Sequence, residues 1–337
     1  MNIAVLFGGN NSERDVSIAS GAQVVKALRA HNHTVTAIDT AHGVLSEADE
    51  AVQFQQTIRT TPPTLEELAK LHDENTLLRL VDILRPFDVV FFALHGTPAE
   101  DGQIQGLLEE AGIRHTGSSS VASAQAWYKD VAKEIFIQHN LPTPRWVKSA
   151  IAADLIEALG LPMVIKPIDQ GSTVGITLVK SADELDAAIT NAARYGEVLA
   201  EEFIKGREIT VGVLAGKALG VGEIGIQPDG IFSYEAKYQA GAITETFPAN
   251  LNEELYQQAQ ALALSAHQAL QLAGYSRSDF RLDENGKFWL IEVNSLPGMT
   301  SGSLLPQSAA TVGISFEELC NRICLEALAP STPVMLQ

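Results

Sequence analysis

Arg277-Ser278-Asp279-Phe280-Arg281-Leu282-Asp283-Glu284-Asn285-Gly286-Lys287-Phe288-Trp289-Leu290-Ile291-Glu292-Val293-Asn294 is the stretch whose reading decides the fold. Asn285-Gly286 is the strongest short hairpin signal a sequence can carry. As a two-residue loop it pairs Asp279 with Glu292 and Arg277 with Asn294; a four-residue loop would shift the pairing but keep side-chain parity. One face then holds two carboxylates about 5 Å apart at Cβ, where like charges repel. A divalent cation removes that repulsion. Asp, Glu and Asn oxygens suit magnesium, a hard ion that usually shares its shell with substrate phosphates. The other face, Phe280, Leu282, Trp289, Ile291 and Val293, reads as core. The competing interpretation is a hairpin whose polar face is simply solvated. The following Ser295-Leu296-Pro297-Gly298-Met299-Thr300 weighs against it. Pro297 makes a rigid turn, Gly298 can present a backbone N–H to a developing oxyanion, and Arg277 adds a fixed positive fork.

Upstream lie groups that could meet a nucleotide. Lys166 ends the apolar strand Met163 to Pro167, and Gly171-Ser172-Thr173-Val174-Gly175 follows. Such a loop offers N–H groups and hydroxyls to phosphate oxygens. It is not a Walker loop, and the nearest imitation, Gly212 to Lys217, has the wrong spacing. Glu201-Glu202-Phe203-Ile204, then Glu208, could hold an adenine amino group and ribose hydroxyls with Phe203 on the ring, or could be an exposed acidic edge. Glu235-Ala236-Lys237-Tyr238 is a charged loop cluster or a surface ion pair.

The first third alternates strand and helix: residues 2–7, a helix opening at Ser12-Glu13-Arg14-Asp15 in a capping-box pattern, Val35 to Ile38, Asp88 to Leu94, then a helix from Gln103 to Glu110. That alternation predicts a parallel sheet, whose ligands lie beyond the C-terminal strand ends. Gly8-Gly9 and His95-Gly96 occupy such ends. Glu13 and Ser17 sit at a helix N-terminus, a natural anion site, or serve only as caps. His95 either contacts substrate or is structural. The fold class is α/β, becoming α+β in the C-terminal half, with units at 1–120, 121–200 and 201–330.

The net charge of −18, from 23 basic and 41 acidic residues, argues against nucleic acid as a partner. No segment reaches the ~18 apolar residues of a membrane span, and the N-terminus reads as a first strand rather than a signal peptide, so the expected compartment is the cytoplasm. Cys320 and Cys324 share one helix face and read as buried thiols.

The order of these groups is more specific than any one of them. Lysine, glycine-rich loop, acid pair and Asp…Glu-x-Asn hairpin resemble the ATP-grasp superfamily. Within it the chain is similar, over almost its whole length, to the D-alanine–D-alanine ligases. The carrying segments are Phe7-Gly8-Gly9 through Ser12-Glu13-Arg14 and Val16-Ser17, Ala93-Leu94-His95-Gly96 with Glu100-Asp101-Gly102, Thr116-Gly117-Ser118, and Glu292 to Thr300 with Ser303-Leu304. The resemblance implies an ATP-grasp fold behind an N-terminal Rossmann-like domain. It implies ATP-dependent joining of two D-alanine molecules through an acyl phosphate, for peptidoglycan precursors, by a cytoplasmic homodimer that uses two magnesium ions, with manganese able to substitute. Lys129, Lys166 and Lys237 would meet ATP phosphates with Ser172. Glu201, Glu202, Ile204 and Glu208 would hold the adenosine, with Ile176 and Phe203 lining the base pocket. Asp279, Glu292 and Asn294 would bind the metals. Glu13 would take the first D-alanine's ammonium and form a network with Ser172 and Tyr238. Arg277 and Gly298 would stabilise the tetrahedral intermediate, so Arg277 is read as a reaction group rather than a partner for Asp279. Ser17, His95, Ser303 and Leu304 would contact substrate.

In the family Met-Asp usually precedes the lysine found at Lys129, whereas here Trp127-Tyr128 does. A relative joining another amino- or hydroxy-acid pair is the nearest alternative. A non-catalytic nucleotide-binding regulator should have lost metal ligands that this chain keeps. A dinucleotide-dependent dehydrogenase lacks support, because the first strand–helix turn has no G-x-G-x-x-G.

Overall fold

The computed structural model describes residues 1–59, 63–71, 76–225, 230 and 244–329. Its strands form three sheets. The first contains β1 (Asn2–Phe7), β2 (Thr34–Asp39), β3 (Gly43–Val44) and β4 (Val89–Phe92), in the order β3-β2-β1-β4. β1 runs parallel to β2 and β4, as the alternation predicts, and β3 is an antiparallel edge. Helices α1 (Arg14–Ala30), α2 (Glu47–Gln53), α3 (Leu65–Ala69), α4 (Thr76–Leu84) and α5 (Gln103–Glu110) fill the crossovers. The run 41–85, legible only as polar and mostly helical, supplies β3 and α2 to α4.

The helix start differs from the capping-box expectation. Glu13, not Ser12, is the N-cap, and its side chain makes no capping bond. Asn11 organises the turn instead: its side chain accepts from Glu13 N (2.9 Å) and donates to His95 O (2.7 Å) and Thr97 O (2.9 Å). The Glu13 carboxylate is thereby left for other work.

Helices α6 (Ser120–Trp127) and α7 (Lys129–Gln138) lead to a second, antiparallel sheet of β5 (Trp146–Lys148), β6 (Met163–Pro167), β7 (Thr177–Val179) and β8 (Val198–Glu202), in the order β5-β8-β6-β7. It packs on α8 (Ala152–Leu159) and α9 (Leu185–Ala192). The third sheet, also antiparallel, joins β9 (Arg207–Leu214), β10 (Lys217–Gly225), β11 (Thr244–Thr246), β12 (Tyr275–Leu282) and β13 (Phe288–Asn294), in the order β11-β10-β9-β12-β13. α10 (Glu253–Ala269) lies on it through Ala259, Ala263 and Ala266, small side chains spaced along one helix face and fully buried. Asn252 caps α10 by accepting from Leu255 N at 2.8 Å. Asn252→Ala should lower unfolding stability by about 1 kcal/mol, read by urea titration, with activity unaltered.

Two helices close the chain, α11 (Leu304–Ala310) and α12 (Phe316–Leu328). α12 returns to the N-terminal core, where Leu319, Cys320, Ile323 and Cys324 pack with the first sheet's residues. Both cysteines are buried, as their spacing suggested, and burial pushes the Cys324 thiol up to about 12, which leaves it unreactive.

The β12–β13 hairpin forms with a different turn. Asp283 builds a wider loop: its carboxylate accepts from Asn285 N (2.9 Å), Lys287 N (3.0 Å) and Trp289 Nε1 (2.9 Å). Next to that loop Phe280 pairs with Leu290 and Leu282 with Phe288, one residue short of the two-residue-loop register. A bulge at Ile291 restores it, so Asp279 does face Glu292 and Arg277 does face Asn294. The bulge corrects the expected core face. Phe288 and Leu290 are buried beside Phe280, Leu282 and Val293, whereas Trp289 and Ile291 are only half-buried. A β-bulge re-aims side chains in this way, commonly beside functional sites.

Candidate active site

Two cavities meet at the metal-type hairpin. The first, of about 810 Å³, lies between the second and third sheets. Its apolar walls are Val164, Ile176, Phe203, Ile204, Ile224, Phe280, Ile291 and Leu304; Lys166, Glu201, Glu202, Glu208 and Arg281 are charged groups around them, and Arg277, Asp279 and Glu292 close its hairpin side. A slot of apolar side chains edged by carboxylate acceptors fits a flat base carrying donors. Every residue read from sequence as an adenosine contact lines it.

Lys166 and Glu201 lie on adjacent strands β6 and β8, whose register pairs Val164 with Glu201. They are therefore diagonal neighbours on one face, and Lys166 Nζ donates to Glu201 Oε1 at 3.2 Å. Glu201 is not an exposed edge but almost fully buried, and it pairs with a second lysine, Lys133. Burial works against its charge, but the two lysines outweigh burial and hold the carboxyl below its usual range. Lys133 went unassigned in the sequence; its signal is the four-residue spacing from Lys129 on one helix face. Arg281 went unassigned too. It stacks on Phe203 with its guanidinium 5.4 Å from the ring centre, donates to Ile204 O at 3.0 Å, and pairs with Glu208 at 3.4 Å. Its signal is the period-two run Arg277-Asp279-Arg281 along β12.

The second cavity, of about 1,110 Å³, opens where the first sheet's strand ends meet the hairpin. Glu13, His95, Glu100, Gly171, Ser172, Asn294, Gly298, Ser303 and Leu304 line it, and Arg277, Glu292 and Leu304 line both cavities. Ser172 Oγ donates to Glu13 Oε1, joining the glycine loop to the first helix. Ser172 (φ +48°) and Thr173 (φ +63°) both hold left-handed backbone, an uncommon pair for residues with side chains. A Cβ at Gly298 would come within 2.9 Å of Ser303 Oγ and force that hydroxyl to shift. Glu100 is a site residue the sequence did not single out. It stands 4.0 Å from His95 Nδ1, and burial, helped by the Glu13 charge, pushes its carboxyl well above the usual range.

Two placements revise the sequence reading. Ser17 does not reach either cavity: it is fully buried, donating to Ala93 O (2.6 Å) and accepting from Gly8 N (2.8 Å). It ties β1 to β4, its only donor is spent on Ala93 O, and its burial keeps it from substrate. Arg277 is a partner for Asp279, contrary to expectation, with Nε–Oδ1 at 2.9 Å and Nη2–Oδ2 at 2.7 Å. Lys129 stays at the site: it donates to Gln170 O at 2.5 Å beside Trp127 and lines a smaller third cavity with Gly171, Glu292 and Asn294. Lys237 and Tyr238, with Glu235 and Ala236, fall outside the described residues.

Asp279, Glu292 and Asn294 fit a hard cation. Asp279 and Glu292 face each other in register, and Asn294 Nδ2 donates to Asp279 Oδ2 at 3.0 Å. All three side chains lie on one hairpin face, where a divalent cation would meet phosphates near Lys166, and Asp279, whose oxygens already accept from Arg277, Thr210 and Asn294, would exchange one of those donors for it.

Comparisons with known proteins agree with this geometry. Residues 2–118 match the model of the D-ala D-ala ligase N-terminus, and residues 131–325 that of the C-terminus. The D-alanine–D-alanine ligase of Trichlorobacter lovleyi is 41% identical, covering 96% of this chain and 94% of its own. That of Geobacter sulfurreducens is 40% identical, over 96% and 93%. Among solved structures, the Bacillus anthracis D-alanine–D-alanine ligase complexed with ATP superposes with a TM-score of 0.78 at 28% identity, covering 97% of each chain. A D-Ala:D-Ser ligase from Enterococcus faecalis gives 0.79 at 29% identity, over 97% and 100%. Two domain models in order and relatives matched end to end leave one conclusion: the chain belongs to the D-alanine–D-alanine ligase family.

Proposed function

We propose that the protein joins two D-alanine molecules into D-alanyl-D-alanine, a peptidoglycan precursor, with conversion of ATP to ADP and phosphate. The observation that carries this reading is the shared wall of the two cavities. Arg277, Glu292 and Leu304 face both the apolar slot and the second cavity, which Glu13 and His95 line. A phosphoryl group leaving the first would arrive at a carboxylate held in the second.

The chain's own groups then divide the work. Phe203, Ile176 and the carboxylates of Glu201, Glu202 and Glu208 seat the adenosine. Lys129, Lys166 and Lys237, with Ser172, orient the phosphates. Asp279, Glu292 and Asn294 hold magnesium, or manganese in its place, which neutralises phosphate charge when bound. Glu13 takes the ammonium of the first D-alanine, so its carboxylate points at the γ-phosphoryl group. Attack gives an acyl phosphate and ADP. The amine of the second D-alanine, beside Ser303 and Leu304, then attacks the acyl carbon. Arg277 and the Gly298 N–H stabilise the oxyanion, phosphate leaves, and the amide remains.

This working enzyme is a cytoplasmic homodimer. Its units are the three sheets with their helices, and we move the second boundary from 200 to Gly206, because β8 runs through 198–202 into the second sheet. The test is isotopic. D-alanine labelled with ¹⁸O in its carboxylate should transfer one labelled oxygen to inorganic phosphate as the dipeptide forms. Unlabelled phosphate released together with dipeptide would contradict the acyl-phosphate route. A panel with D-serine and D-lactate as second substrates measures how strictly the Ser303 and Tyr238 regions select D-alanine.

A further inference from the structure

Lys133 is 1% exposed and lines neither cavity, yet it is a charged side chain in the middle of the protein. Its ammonium pairs with Glu201 and donates to Thr143 Oγ1 at 2.8 Å, and Thr143 Oγ1 donates in turn to Leu290 O at 2.9 Å on β13. Lys133 is thus fixed between α7 and the hairpin, with its charge aimed at the back of Glu201. Lys166 approaches the other carboxylate oxygen. Burying a lysine costs several kcal/mol unless a partner compensates, and burial pulls this ammonium down to about 8. A fold with no use for the charge would place an apolar side chain here.

We propose that Lys133 is the positioning residue that makes the nucleotide site selective for a 6-amino purine, by serving as the resident counter-ion of Glu201. This rests on the reading that Glu201 meets the adenine. Two consequences follow from the geometry. With Lys133 behind it, Glu201 stays ionised and acts only as an acceptor, so it welcomes an exocyclic amino group and repels an oxo group. Lys166, relieved of sole responsibility for neutralising Glu201, is free to turn its ammonium to phosphate. Without Lys133, Glu201 would either retain Lys166 or take up a proton, and a protonated carboxyl can donate to an oxo group.

The experiment is calorimetric binding of ADP and of inosine diphosphate, each with magnesium, to the full chain. Inosine diphosphate carries an oxo group where ADP carries the 6-amino group. The wild type should prefer ADP. Lys133→Met should weaken ADP binding and narrow the preference by at least about 10-fold each, the size of one charge-assisted hydrogen bond. Lys133→Gln, which can still donate to Glu201 and Thr143 and so has the better chance of folding, should narrow the preference in the same direction. KM for D-alanine should stay unchanged in both. In a Glu201→Gln background, Lys133→Gln should add no further loss, as two residues acting through one contact require. A folded Lys133→Gln with wild-type ADP affinity and wild-type preference overturns the proposal while leaving the adenosine reading intact. A wild type that binds neither nucleotide, or shows no preference, overturns both.

Discussion

Asp279→Asn should lower magnesium-dependent turnover by about 1,000-fold or more, roughly 4 kcal/mol of transition-state stabilisation. Asp279 is the most heavily used carboxylate at the junction of the cavities. It accepts from Arg277 through two bonds, from Thr210 Oγ1 at 2.7 Å and from Asn294 Nδ2 at 3.0 Å. These bonds fix where a cation would sit relative to phosphates on Lys166. An amide has the right shape, but half its capacity becomes donor, facing groups that already donate. Arg277 also loses its counter-charge, and breaking a buried pair by removing one partner costs about 3–5 kcal/mol of folding stability. Loss of metal function and loss of fold must therefore be separated. Thermal unfolding without magnesium reports the fold, and turnover over a magnesium titration reports the metal. Glu292→Gln, on the facing strand and outside the Arg277 fork, should show the same loss of turnover. Near-normal magnesium-dependent activity in either folded variant would remove the hairpin from the metal site.

The second large effect is expected from Glu13→Gln: KM for D-alanine at the first position should rise by about 100-fold, in line with 1.5–3 kcal/mol for a hydrogen bond to a charged group. KM for ATP should be unchanged, because Glu13 lines only the second cavity. The side chain reaches this place because Asn11, and not the Glu13 carboxylate, organises the start of α1. The carboxylate instead accepts from Ser172 Oγ, so the glycine loop and the first helix share one acidic group. An ATP defect equal to the D-alanine defect would show that Glu13 serves loop position and not substrate charge.

The hairpin shows both how far the sequence could be read and where it stopped. Period two put Arg277, Asp279, Glu292 and Asn294 on one face, and the pairings expected from a two-residue loop came out because the bulge at Ile291 offsets the wider turn. The turn was not, because Asp283 satisfies three donors at once and widens the loop that Asn285-Gly286 signalled. The bulge at Ile291 corrects the register, and no local residue pattern announces it. Strand–helix alternation foretold the parallel sheet; His95 at a strand end and Glu13 at the first helix start both line the second cavity. Ser17 misled for a physical reason: a small hydroxyl at a helix start serves an anion or a neighbouring strand equally well, and only packing decides. Lys133 and Arg281 were hidden because each acts through residues distant in sequence, Glu201 and Ile204 with Glu208. The order lysine, glycine loop, acid pair, hairpin survived intact, because it follows the chain through the two sheets that enclose the first cavity.

Incubation of the purified full-length protein with ATP, magnesium and D-alanine addresses the central claim most directly. D-alanyl-D-alanine and ADP should appear in equal amounts, with neither formed when D-alanine or magnesium is withheld. ADP release without dipeptide, or no reaction by a folded protein that binds ATP, would contradict it.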